Sequence, residues 1–376
     1  MRRNVFVIFL IIIVLSIGVI QEGGCALFER KPEEPLILPG KIVFQSDRQP
    51  SSVYQKQDKR LFSIAPSPDH PKSIKAPVDT FFSDAMEATQ SQTIYLLENG
   101  AMVKVAEGVL PRLTHNGGKV IYRGENYTLH VLDLATQKEE ILEWSGQYTT
   151  DFFDLAPNGK TLVFRSDKLH YSKYRTDAHP NFKTANFFIT SLDGSDIKQI
   201  TDFPGNTGAG DPQWSPDGTR ILFVVRLSSE SDDEDLKRGL YTIAPDGSNL
   251  KKFPIPRELN PWYAGWSPKG DKIVFVGKDS LERDQIYLFD IKTEVVTQLT
   301  KNEQRRWFYA DPLFSPFGTQ ILFECGRKKI PNPHVGSVLF VINLDGTDER
   351  QVTPYVKIKK YGRTRWGTDI YPDWAP

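Results

Sequence analysis

Short apolar runs separated by polar turn residues recur along this chain, and they recur in register. Four segments align closely: Leu155-Ala-Pro-Asn-Gly-Lys-Thr-Leu-Val-Phe164, Trp214-Ser-Pro-Asp-Gly-Thr-Arg-Ile-Leu-Phe223, Trp266-Ser-Pro-Lys-Gly-Asp-Lys-Ile-Val-Phe275 and Phe314-Ser-Pro-Phe-Gly-Thr-Gln-Ile-Leu-Phe323. A fifth, Leu113-Thr-His-Asn-Gly-Gly-Lys-Val-Ile-Tyr122, is looser. Each places an aromatic residue or Leu before a small residue, then Pro, a polar residue, Gly and an apolar run. Pro presets φ and Gly accepts φ > 0, so the core of the motif is turn chemistry. The β-branched and aromatic run that follows is strand chemistry. Each unit therefore predicts a strand, a tight turn and a second strand.

A second hairpin recurs downstream. Phe187-Phe-Ile-Thr-Ser-Leu-Asp-Gly-Ser-Asp196 precedes Lys198-Gln-Ile-Thr201, and Leu339-Phe-Val-Ile-Asn-Leu-Asp-Gly-Thr-Asp348 precedes Arg350-Gln-Val-Thr353. Leu240 to Phe253 and Ile286 to Thr300 follow the same plan. Asp-Gly between two apolar runs is the strongest short hairpin signal. Four strands in a repeat of about 40 to 60 residues describe a propeller blade. The fold expectation is an all-β propeller of four-stranded antiparallel blades.

The Trp-Ser-Pro-Asp-Gly turn, the Ile-Leu-Phe strand and the closing Gln-Leu-Thr resemble TolB-like (WD40-like repeat) β-propellers, from Gly40 to Pro376. The resemblance implies binding of cell-envelope partner proteins. It identifies no partner, because propellers host many activities. Asp373-Trp-Ala-Pro376 is the first half of the motif, and Gly40-Lys-Ile-Val-Phe44 is the second half. The last strand is therefore expected to complete the first blade and close the ring. A weak repeat, Asp79 to Asp84 followed by Thr93 to Leu97, parallels Asp151 to Asp154. Counting it gives an expectation of seven blades, with six, usual for TolB, as the alternative.

The first 25 residues follow a different pattern. Met1-Arg2-Arg3 is basic, and Val5 to Ile20 is an apolar run interrupted by Ser16 and Gly18. This is the layout of an export signal. Gly23-Gly24-Cys25 resembles a lipoprotein cleavage site, although Glu22 stands where Leu is usual. Three readings remain open: lipidation of Cys25, ordinary cleavage after Ala26, and an uncleaved signal anchor. All three place the body outside the cytoplasmic membrane, periplasmic or at the cell surface. The expected division is a signal over 1–25, a Pro-rich linker over 26–39 and a propeller over 40–376.

Composition narrows the function. Lys plus Arg and Asp plus Glu both number 47, which argues against a general nucleic-acid binder. The 39% apolar and 12% aromatic content excludes a disordered chain. Two cysteines exclude a disulfide-rich scaffold. With Cys25 as a lipid attachment point, Cys325 reads as a buried thiol and no disulfide is expected. Gly-x-Ser-x-Gly, the phosphate-binding loop and the dinucleotide fingerprint do not occur in the sequence.

Candidate binding residues concentrate in the segments that lead into the inner strands. These are Asp211; Trp262 and Tyr263; Arg305, Arg306, Trp307 and Asp311; Trp366 and Asp369. Trp, Tyr and Arg dominate binding hot spots, and Trp262, Tyr263, Arg305, Arg306, Trp307 and Trp366 lie outside the strand pattern. Asp211 and Asp311 also suit plain capping of neighbouring amides. The turn-motif aromatics Trp214, Trp266, Phe314 and Trp374 read as packing between sheets. Long loops on the same face carry His170 and His179, an acidic run from Glu230 to Asp235, and the basic Arg327 to His334. His170, His179 and His334 are candidate metal ligands only under the alternative reading, a metal-dependent polysaccharide lyase or hydrolase. The primary expectation is a monomeric, non-catalytic envelope scaffold without a cofactor. It binds a protein, peptide or glycan at the channel mouth.

Overall fold

A run with no polar alternation, such as Ile221 to Val225, is stable as a strand when both of its faces are covered. The computed structural model describes residues 38–47, 92–148, 150, 152–166, 186–203, 207–227, 238–303, 307–327, 336–354, 357–360, 363–366 and 369–376. Among these residues there are six four-stranded antiparallel sheets and one separate hairpin. Sheet I holds β1 (Lys41–Ser46), β2 (Thr93–Glu98), β3 (Ala101–Glu107) and the last strand, β26 (Asp369–Ala375). Sheet II is β4 (Val109–Leu113), β5 (Lys119–Arg123), β6 (Leu129–Asp133) and β7 (Glu139–Leu142). Sheet III is β8 (Phe152–Leu155), β9 (Thr161–Ser166), β10 (Asn186–Ser191) and β11 (Lys198–Gln199). Sheet IV is β12 (Thr207–Trp214), β13 (Ile221–Leu227), β14 (Gly239–Ile243) and β15 (Lys251–Lys252). Sheet V is β16 (Trp262–Trp266), β17 (Lys272–Lys278), β18 (Asp284–Asp290) and β19 (Val296–Gln298). Sheet VI is β20 (Trp307–Phe314), β21 (Gln320–Arg327), β22 (Ser337–Asn343) and β23 (Arg350–Gln351). The hairpin is β24 (Lys357–Lys360) with β25 (Arg363–Trp366).

The inner strands are β26, β4, β8, β12, β16 and β20. Each lies beside the next, and β20 lies beside β26. Six apolar clusters fill the six spaces between neighbouring sheets. Phe187, Trp214 and Phe223 share the space between sheets III and IV, while Phe44, Leu322, Leu339 and Trp374 share the space between VI and I. This arrangement covers both faces of every second strand.

Each sheet repeats one cross-strand ring pair. These pairs are Phe44–Tyr95, Tyr122–His130, Phe164–Phe188, Phe223–Tyr241, Phe275–Tyr287 and Phe323–Phe340, directly opposite in register. Their centroids lie 5.1 to 6.0 Å apart with planes 18° to 30° from parallel. Opposed aromatic residues are among the most stabilising cross-strand pairs. His130 takes the aromatic place in sheet II, where burial lowers its pKa and disfavours its charged form.

The closing Gln-x-Thr also has a physical reason. Thr201, Thr300 and Thr353 use Oγ1 to accept the third-strand N–H of Phe187, Ile286 and Leu339 at 2.8 to 3.0 Å. The Gln two residues earlier donates to the Thr carbonyl in each case. A buried strand end thereby keeps its polar groups paired.

The structure corrects the expectation of seven blades to six. Thr93–Glu98 pairs with β1 from Lys41↔Glu98 to Ser46↔Thr93, so it is a strand of sheet I and founds no further blade. Residues 79–84 lie outside the described residues. A second correction concerns Cys325, which is fully buried as expected but disulfide-bonded.

The last strand completes sheet I. β26 pairs with β1 from Lys41↔Ala375 to Ser46↔Asp369. Gly40, at φ +86°, stands where Gly218 (φ +69°) closes the corresponding turn of sheet IV. A side chain at Gly40 would place its Cβ 2.2 Å from Ala375 O. Trp374 is 7% exposed, and its Nε1–H donates to Pro39 O at 2.7 Å. Trp374→Ala should lower the unfolding free energy by about 3–5 kcal/mol. Urea midpoints test this, and a loss below about 1 kcal/mol would show that the last strand carries little of the stability.

Candidate functional site

The inner strands are not regular. Their pairing with the second strand slips at Val109/Arg112, Gly210/Gln213, Trp262/Ala264 and Ala310/Leu313, and β1 slips against β26 at Val43/Gln45. At each slip one residue has positive φ: Leu110, Asp211, Tyr263, Asp311 and Tyr371. In four of the five strands the next residue is Pro: Pro111, Pro212, Pro312 and Pro372. Proline has no N–H for the ladder, so a bulge is the expected local answer. Such bulges re-aim side chains, and here they turn Asp211, Tyr263, Asp311 and Tyr371 onto an axial cavity.

That cavity has a volume of about 240 Å³ and takes lining from all six inner strands. At its outer end stand Pro157, Pro216, Pro268, Pro316 and Pro376, with the exposed His115 at the equivalent position of sheet II. The residue just before each turn-motif aromatic or Leu faces the axis. These residues are Arg112, Asp154, Gln213, Gly265, Leu313 and Asp373. Three consecutive inner strands, β26, β4 and β8, thus carry carboxylate, guanidinium and carboxylate.

Each of these carboxylates joins two sheets. Asp373 Oδ2 accepts Leu113 N–H at 2.6 Å, and Asp154 Oδ2 accepts Trp214 N–H at 2.8 Å. Arg112 donates from Nη1 to Pro111 O of its own strand at 3.0 Å. Asp154 is enclosed by protein while keeping part of its surface on the cavity. Its pKa is raised to about 7, first by burial and then by the nearby charge of Asp373, against the pull of the Trp214 amide and Arg112. Burial raises Asp373 likewise, opposed by Arg112 and by the Leu113 amide. Deeper in, burial and the negative charges of Asp311, Asp211 and Glu324 push the Tyr371 hydroxyl far above its ordinary range, against Arg123.

Behind this wall lies a buried polar tier on the second strands. Gln45, Arg123, Arg165 and Glu324 occupy one register position in sheets I, II, III and VI. Gln45 Oε1 accepts Leu110 N–H at 2.9 Å, and Arg165 Nη1 donates to Ala209 O at 2.8 Å, each reaching the next sheet's inner strand. Arg165 also lies over the Phe152 ring at 4.9 Å. A shallower recess of about 350 Å³ between the turns of sheets III and IV holds Asp217, which Ser215 and Thr219 already hydrogen-bond. It offers less unused polar chemistry than the axis.

The sequence-derived candidates separate into groups. Asp211, Tyr263 and Asp311 line the axial cavity. Trp262 is half-buried at the start of β16, with the Arg238 guanidinium 5.6 Å above its ring. Trp307 is 4% exposed in the core between sheets V and VI. Trp366 ends β25 and Asp369 begins β26, but their side chains fall outside the described positions. Arg305, Arg306, His170, His179, His334 and Cys25 lie outside the described residues. Among the described residues, no group of three or more His, Cys, Asp or Glu is placed to hold a metal ion. Sequence reasoning missed Arg112, Asp154 and Asp373. Their signal is period-2 alternation, which turns the residue before a buried aromatic to the opposite face.

Asp154 makes a pH prediction. Its folded pKa of about 7 lies above the ordinary 3.8, so between about pH 4 and 7 the folded protein holds a proton that the unfolded chain has released. Stability from this group therefore falls as pH rises through that window and levels off above it. Asp154→Asn keeps an acceptor for Trp214 N–H and cannot ionise. It should show a shallower fall in melting temperature between about pH 5 and 8 and a higher melting temperature at pH 8. Identical pH slopes for the two proteins would contradict the buried, proton-holding carboxylate.

No family model matches the chain. It is 28% identical over 207 residues to the uncharacterized peptidase YuxL of Bacillus subtilis, covering 53% of this chain and 25% of YuxL. It is 26% identical over 204 residues to the uncharacterized protein Atu1656 of Agrobacterium fabrum, covering 44% of this chain and 60% of that protein. The chain thus spans less than two thirds of either relative. Among solved structures, TolB from Acinetobacter baumannii superposes with a TM-score of 0.58 at 16% identity, over 90% of this chain and 67% of TolB. An oligogalacturonate lyase in complex with manganese gives 0.50 at 18% identity, over 72% and 74%. The chain therefore has the β-propeller fold of TolB-like proteins, built here with six blades.

Proposed function

We propose that this chain is a non-catalytic binding protein of the cell envelope. It holds part of a protein, peptide or glycan partner in the axial cavity and across the adjoining channel mouth. One observation carries the reading: the six inner strands converge on a cavity lined by Arg112, Asp154 and Asp373, where Arg112 spends one donor among the described residues. Concave sites with a few convergent polar groups are the common form of a ligand site. Asp211, Tyr263 and Asp311 contribute directly, while Trp262, Arg305, Arg306, Trp366 and Asp369 belong to the proposed mouth. In this reading residues 1–25 direct export, 26–39 form a linker, and a lipid on Cys25 anchors the protein in the periplasm or at the cell surface. The likeness to a TolB structure supports it at the level of fold.

The likeness to a manganese-bound oligogalacturonate lyase supports a second reading, a metal-dependent lyase using His170, His179 and His334. Stoichiometric manganese in the purified protein, lost on substitution of those histidines, would favour it over the first.

A photo-crosslinking residue at Gln213, on the cavity wall, should capture a discrete envelope species, whereas one at the outward-facing Val295 (55% exposed) should not. The same species from both positions, or none from Gln213, would overturn the binding reading. The anchor has its own test. Fatty-acid labelling should be present in the wild type and lost in Cys25→Ser. The sequence has two cysteines, so a lipid on Cys25 and the Cys325 disulfide are alternative states of one chain. Thiol titration of the labelled protein should then find one free thiol. No label together with no free thiol would overturn the lipid anchor.

A further inference from the structure

We propose that the axial cavity recognises the free amino terminus of a peptide, with the ammonium held between Asp154 and Asp373 and the first carbonyl against Arg112. The inference rests on the binding reading above and names the ligand class for that site. Four observations carry it.

First, the guanidinium is only partly used. Asp154 and Asp373 each spend Oδ2 on a backbone N–H of the next sheet, and the amides of Leu155 and Trp374 that follow them act on the same carboxylates. Arg112 makes one hydrogen bond, to its own strand, and no ion pair within 4.0 Å among the described residues. A guanidinium carries five N–H donors, so four remain for a ligand. Second, the order around the axis is acceptor, donor, acceptor, because Arg112 sits on the inner strand between those of Asp373 and Asp154. An ammonium donates in several directions, and the carbonyl two bonds along the chain accepts. An amino-terminal residue matches that order. A lone amine leaves the guanidinium unanswered, and a metal ion would have to share carboxylates already bonded to amides.

Third, the cavity carries Asp154, Asp211, Asp311 and Asp373 against Arg112 and the rim histidine, His115. Burial and the charge of Asp373 raise Asp154 to about 7, and burial raises Asp373, so the cavity disfavours both carboxylates in their charged form. Arg112 from β4 and Asp373 from β26 face Asp154, and the Trp214 amide from β12 holds it. A ligand ammonium would replace the bound proton. Fourth, Trp214, Trp266 and Tyr263 supply aromatic surface on the same cavity, which suits a cation. The ring of prolines at the outer end brings no backbone N–H to compete with the peptide's own.

Calorimetric titration of the purified full chain tests the inference. The probes are trialanine amide with a free amine and the same peptide N-acetylated. At pH 8 the free-amine peptide should bind roughly tenfold or more tightly than the acetylated one, as expected for loss of a charge-assisted contact. The double variant Asp154→Asn, Asp373→Asn keeps the acceptors for Trp214 and Leu113. It should lose roughly tenfold affinity without a fall in melting temperature. Arg112→Gln should weaken the peptide more than ethylamine, because ethylamine has no carbonyl. Affinity should fall from pH 8 to pH 6 as Asp154 takes up its proton. Equal binding of both peptides, or full affinity in the double variant, would overturn the inference. If trialanine amide does not bind while a glycan crosslinks at Gln213, the amino-terminal inference falls and the cavity-binding reading stands. If Gln213 captures nothing, both fall.

Discussion

Neighbouring sheets of this ring meet through apolar faces almost everywhere, and apolar contact alone does not fix how one sheet is set against the next. At the axis a directional bond supplies that constraint. Asp373 of β26 takes the Leu113 amide of β4 at 2.6 Å, and Asp154 of β8 takes the Trp214 amide of β12 at 2.8 Å. Gln45 and Arg165 do the same work one layer out, reaching Leu110 N–H and Ala209 O. These bonds hold the inner strands at a set height along the axis. They require buried carboxylates, and burial makes the charged form of a carboxylate unfavourable. Burial at the junction of sheets III and IV raises the pKa of Asp154, against the pull of the Trp214 amide itself.

Much of the fold was legible in the sequence because its motifs are local. Pro-x-Gly sets a turn within five residues, Asp-Gly sets a hairpin within four, and Gln-x-Thr closes a sheet through bonds that recur in sheets III, V and VI. The number of blades was not legible. Thr93 to Leu97 looks like a strand of any blade, and its pairing with Lys41–Ser46 is a contact across a long insertion that no local pattern encodes. The Cys325 disulfide escaped for a related reason, since pairing is a matter of distance in space.

The candidate site was legible in part. Asp211, Tyr263 and Asp311 were picked by residue type, and proline-linked bulges bring them to the axis. Trp307 was picked for the same reason, but strand alternation turns it into the core between sheets V and VI, where it packs with Tyr309 and Phe323. Asp154, Arg112 and Asp373 were passed over because each stands beside a more conspicuous aromatic residue or Leu. Residue type alone marks polar chemistry, whereas the alternation of faces along each inner strand decides which polar side chains meet.

The central claim is that Asp154 and Asp373 serve both as inter-sheet bonds and as a proton-holding wall open to a cationic ligand. Carbon-13 NMR of the aspartate carboxyls, assigned through the Asp154→Asn and Asp373→Asn variants and followed against pH, measures both carboxyls directly. Asp154 should titrate near pH 7 in the free protein, with Asp373 also displaced upward, and Asp154 should move down when trialanine amide is added. Titration of both carboxyls near the ordinary aspartate value, unmoved by the peptide, would contradict the account.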